Sequence, residues 1–157
     1  IRLSLVGSEM CIRDRSSMSG REAADRLFDR AMRTEAGGDT ARARFFAGMG
    51  LQAYGGLPPG EMDADARFHV GLLQLMTGDA DAARQSADAI LAGAPDHLLG
   101  WILRARIAEL RGDEAALAEA RRRFTAALAE ERAAGRPEYQ QHAALIDEQA
   151  EAFGAGP

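Results

Sequence analysis

Residues 71–83 read GLLQLMTGDADAA, and residues 105–117 read ARIAELRGDEAAL. Both place a small residue seven positions before a Gly-Asp pair and an apolar residue five positions after the Gly. Residues 31–43, AMRTEAGGDTARA, do the same. The three pairs, Gly38-Asp39, Gly78-Asp79 and Gly112-Asp113, recur at spacings that mark an internal repeat. A glycine suits the left-handed stop of one helix. The aspartate after it can accept a backbone N–H at the start of the next. Each unit therefore reads as helix, tight turn, helix. Small residues at Ala31, Gly71 and Ala105, with Ala43, Ala83 and Leu117 beyond the turns, let antiparallel helices approach closely.

Periodicity outside the turns agrees with helices. Ala24, Leu27 and Ala31 fall on one face, as do Phe68, Leu72 and Leu75, then Leu98, Trp101, Ala105 and Ala108. Second helices carry Ala43, Phe46, Gly50 and Ala53; Ala83, Ala87, Ile90 and Ala94; and Leu117, Ala120, Phe124 and Leu128. Gly48 and Gly50 read as close-packing positions. Residues 55–60, GGLPPG, break the chain and lengthen the first unit, and Pro95-Asp96 separates the second from the third. After Gly135-Arg136, Pro137 suits a first helical turn. Tyr139, Ala143, Ile146, Ala150 and Phe153 then predict one last helix that caps the stack, followed by a short tail over 154–157.

Composition points the same way. The chain has 157 residues, a net charge of −5 and 33 alanines, and all 19 of its basic residues are arginine. Ala, Leu, Arg and Glu favour helices. Such a chain is neither an all-β fold nor a disulfide scaffold. Its acidic balance argues against general nucleic-acid binding, because phosphate affinity comes from clustered cations. No apolar run approaches the roughly 20 residues that a bilayer crossing needs.

The first fifteen residues, IRLSLVGSEMCIRDR, stand apart. They contain no alanine and hold the only cysteine. Leu5 to Asp14 resembles the translation of a transposon-end adapter used in sequencing libraries. Residues 1–15 are accordingly set aside as foreign sequence, 16–20 as a tail, and 21–153 as the helical domain. The cysteine then carries no redox argument. An N-terminal anchor is a possibility that this segment leaves open.

The repeat resembles the tetratricopeptide repeat family over roughly residues 21–134. Unit three carries Trp101, Ala105 and Gly112, unit two Gly71, Gly78, Ala83 and Pro95, and unit one Ala31, Gly38 and Ala43. Arg67 and Gln74 depart from the usual large apolar residues, which leaves that packing to Phe68 and Leu75; Arg121 stands where an aromatic is usual. The resemblance implies an all-α solenoid of about three antiparallel helix pairs with a C-terminal capping helix. It also implies a concave face, lined by first helices, that receives a partner peptide or helix. By repeat position that lining comprises Phe28, Met32, His69, Leu72, Ile102, Arg106 and Glu109. The competing reading makes Phe28, Leu72 and Ile102 simple core. The family's carboxylate clamp is absent, since Phe28, Met32, His69, Leu99 and Leu103 hold its places.

Signals for chemistry are sparse. His69, His97 and His142 form no recognisable ligand spacing with one another, so neither metal nor cofactor is expected. There is no G-x-S-x-G and no lysine for a phosphate loop. The acid pairs Asp63/Asp65, Asp79/Asp81 and Asp113/Glu114 read as helix-start residues complementing the dipole. Arg121-Arg122-Arg123 reads as a solvated face with helical ion pairs. The expectation is a non-enzymatic protein-interaction module, cytoplasmic as it stands, with a curved shelf in place of a reaction pocket. The alternative is the exposed domain of a larger envelope or assembly protein whose N-terminal anchor is missing.

Overall fold

The computed structural model describes residues 18–154. The adapter-like segment 1–15 and the end of the tail lie outside them. The described residues form eight α-helices and no strand. Three antiparallel pairs follow one another: α1 (Gly20–Ala36) with α2 (Thr40–Gly55), α3 (Ala64–Thr77) with α4 (Ala80–Gly93), and α5 (Leu98–Arg111) with α6 (Glu114–Ala134). A short 3-10 turn, Pro59–Glu61, lies in the linker between the first two pairs. The chain ends in α7 (Pro137–Gln141) and α8 (Ala143–Ala152). No helix among the described residues is long and apolar enough to cross a membrane.

The Gly-Asp pairs do the local work their chemistry predicts. Gly38, Gly78 and Gly112 have φ of 85°, 89° and 64°. At each turn the aspartate N–H bonds back to the sixth carbonyl, Asp39 to Thr34, Asp79 to Gln74 and Asp113 to Ala108 (2.9–3.2 Å). That bond, with the glycine N–H taken by the carbonyl three residues back, closes a Schellman turn. Each aspartate side chain then accepts from the next helix: Asp39 from Arg42 N–H, Asp79 from Ala82, Asp113 from Ala116. Asp63 caps α3 in the same way. Ser19 and Glu22 close a capping box on α1, which begins at Gly20.

Pairs stack through α2 on α3 and α4 on α5. The first helices also touch, α1 on α3 and α3 on α5, whereas second helices contact each other at most marginally, so the first helices form the inner side. Close approach needs glycine at Gly71: a Cβ there would stand 2.2 Å from Leu103 Cδ2. The neighbour is the next unit's first helix. Gly50 faces Leu73 similarly, but Gly48 faces open space and is no packing position. Phe68 is fully buried and Leu75 packs at the core edge, so they supply the packing that Arg67 and Gln74 do not.

The end of the chain departs from expectation. Instead of one helix, the backbone leaves helical geometry at His142 (φ −105°, ψ 21°), dividing α7 from α8. The α8 helix lies on the last pair: it packs on α5, buries Ile146 and Ala150, and is followed by Phe153, edge-on to Phe124 of α6. The break aims the His142 side chain at α3.

Candidate functional site

Where the N-terminal ends of α1 and α3 meet the C-terminal end of α2, polar side chains converge inside the stack. Four residues separate Asp65 from His69, which puts both on one face of α3. Asp25 comes from α1, Tyr54 from α2 and His142 from the α7–α8 junction. Tyr54 Oη donates to Asp25 Oδ1 (2.5 Å) and lies 2.8 Å from His69 Nδ1. With its one proton committed to Asp25, the hydroxyl can only accept from His69, which places the imidazole proton on Nδ1. His69 Nε2 then turns a lone pair toward Asp65 Oδ1, 3.5 Å away. His142 Nε2 sits 2.8 Å from the same oxygen.

Arg21 balances the acids. Its guanidinium reaches Asp25 (3.0 Å), Asp63 (3.1 Å) and Asp65 Oδ2 (2.5 Å), and donates to the Glu61 carbonyl (2.9 Å). Phe28 stacks on the His69 ring at 3.8 Å, and Phe68 meets His142 edge-on. Burial holds His69 below the ordinary histidine range against the pull of Asp65, so it is neutral near pH 7. Burial alone would raise Asp65, but the His142 hydrogen bond and the Arg21 charge help to bring it below its usual value. Burial and then Asp25 push the Tyr54 hydroxyl up.

A second contact holds the C-terminal segment. His97, the N-cap of α5, makes no side-chain cap; Tyr139 Oη accepts the Leu98 N–H instead (3.0 Å) and donates to Glu131 (2.5 Å). His97 Nε2 meets Glu138 at 3.0 Å, and burial holds this histidine low as well.

The seven residues expected to line a groove do not form one open surface. Phe28, His69, Leu72 and Ile102 are buried, Met32 and Arg106 are half-buried, and only Glu109 is exposed. Among the acid pairs, Asp63, Asp79 and Asp113 cap helices, but Asp65 belongs to the buried cluster. Asp81 bonds Arg111 of the next unit at 2.5 Å. Arg122 and Arg123 pair with Glu119 on the surface of α6, and Arg121 lies over the Phe153 ring. The signal missed in the sequence was the Asp65/His69 spacing. Histidines compared only with each other conceal a carboxylate partner. No spacing could have announced His142.

The outer side carries a groove of about 400 Å³ between α4 and α6, floored by α5. Trp101, Ile107 and Ala108 give it apolar surface, and Arg84, Arg104 and Arg111 rim it, with Asp113 and Glu119 on the α6 wall. Arg104 bonds Asp88 at 2.7 Å, but its buried Nε–H has no acceptor among the described residues. Trp101 Nε1–H donates to the Pro95 carbonyl, and Arg123 lies over the indole. No family model, curated protein or solved structure matches this chain.

Proposed function

We propose that the chain is a tetratricopeptide-like, non-enzymatic interaction module that holds an acidic peptide segment of a partner protein in the outer groove between α4 and α6. The reading rests on one observation: the chain's own α7–α8 segment lies on α5 and brings His142 onto α3, on the side where a repeat of this kind would take its ligand. The outer groove is an open trough with an apolar floor and a guanidinium rim. Arginine suits carboxylate recognition because its planar fork can offer paired donors.

Trp101 is the only tryptophan, so its emission reports on this groove alone. Titration with an array of acidic amphipathic peptides is expected to give a saturable emission change, lost in Arg104→Glu and retained in Arg106→Glu. An emission unmoved by every peptide, with crosslinked partners mapping to the inner side and sensitive to Arg106→Glu, would replace the outer groove by the inner face.

A further inference from the structure

Asp65 and His69 stand one turn apart on α3, and His142 arrives from 77 positions away. One ligand-type atom from each, Asp65 Oδ1 and the two histidine ring nitrogens, lies within 4.8 Å of the others. We propose that these three side chains bind a single divalent transition-metal ion of the zinc type, with a fourth position left to water or an outside ligand.

Three observations carry this. The first is spacing. Bonds of about 2.0–2.1 Å in a tetrahedral site separate ligand atoms by roughly 3.3 Å. The two nitrogen-to-carboxylate distances, 2.8 and 3.5 Å, bracket that value. The second is an open contact. His69 Nε2 faces Asp65 Oδ1 at 3.5 Å, longer than a good hydrogen bond. A cation placed between them would make two bonds there. The third is the support behind the ligands. A ligating histidine ordinarily donates its other ring N–H to an acceptor that fixes its tautomer. His69 does so to Tyr54, whose hydroxyl is held by Asp25. Arg21 occupies Asp65 Oδ2 and leaves Oδ1 for the histidines.

The nitrogen-rich donor set selects zinc, cobalt or nickel over calcium or magnesium, which demand oxygen. A bound ion would fasten the α7–α8 junction to α3 and add to the Glu138 and Tyr139 contacts that hold the segment on α5.

The test is titration of the chelator-treated full chain with Co2+ and Zn2+. Co2+ absorption of the tetrahedral type, one Zn2+ per chain by calorimetry and a rise in melting temperature are expected. His142→Gln should weaken Zn2+ at least tenfold. Tyr54→Phe, which removes no ligand, should weaken it about 10- to 100-fold. His97→Gln and Cys11→Ser should leave it unchanged. Circular dichroism identifies variants that fail to fold, and the wild-type imidazole resonances of His69 and His142 supply a readout free of any variant. No Co2+ absorption and no movement of those resonances at one equivalent of metal would overturn the proposal. So would Zn2+ binding indifferent to both His142→Gln and His69→Gln.

Discussion

The three hairpin turns and the C-terminal segment solve the same problem in opposite ways. At Gly38-Asp39, Gly78-Asp79 and Gly112-Asp113, orphan groups at the helix ends find partners within a few residues. The α7–α8 segment is instead held by bonds that span 41 and 77 positions, from Glu138 and Tyr139 to the start of α5 and from His142 to Asp65. A turn closed by its own residues forms whatever surrounds it. A segment fastened by remote side chains exists only once the stack does.

Breaking the remote contact at its most buried point should have the largest effect. Tyr139→Ala removes a buried ring, orphans the Leu98 N–H and strips Glu131 of a donor. We expect a loss of about 5 kcal/mol, read from urea denaturation, with α8 amides losing hydrogen-exchange protection first. A uniform loss of protection across all eight helices would show that the segment is no separate unit.

Asp65→Ala comes next, at about 3 kcal/mol, because Arg21 keeps Asp25 and Asp63 as partners while His142 loses its acceptor. Acid should act on the same cluster. His69, His97 and Asp65 all have folded-state values below their ordinary ones. The unfolded chain therefore binds protons more readily, and stability falls as pH falls. The histidine part is complete above about 6.5, their ordinary value. It is lost on descent through the lower folded values, and the Asp65 part is lost further down, below the ordinary aspartate range. Urea midpoints measured from pH 8 downward should decline, more gently in His69→Gln; a midpoint that rises on acidification would contradict this account.

The turns should give the smallest and most uniform response. Gly78→Ala and Gly112→Ala each force an L-residue into the left-handed region, at about 1–2 kcal/mol. Neither adds a clash, since a Cβ at either position would meet open space out to 4 Å. The two costs should match within error by thermal denaturation. A large difference would show that one turn is bound up with tertiary packing, and the contrast with the C-terminal segment would weaken.

Much of the fold was legible because its signals are local. A left-handed glycine, a capping aspartate and a 3.6-residue apolar period are properties of a few neighbouring residues. The three hairpins and their all-α class follow from them. The last helix misled for the same reason: Tyr139 to Phe153 keeps an unbroken period, and nothing nearby declares that His142 will leave the helix to reach Asp65. Position in the repeat left Phe28, Leu72 and Ile102 between groove and core, and all three are buried. First-helix residues such as Phe28 and Ile102 look available until α8 lies on the inner side and Phe28 stacks on His69.

By itself, then, the chain's order of residues determined helices, turns and pairing between neighbours, since these depend on short-range dihedral preferences and on apolar faces that must find one another. Tertiary structure alone decided which face stayed open, where the two carboxylates, the tyrosine and the two histidines met, and how the chain's end was fastened. Those outcomes depend on distances between residues far apart in the chain, and such distances exist only after the helices have packed.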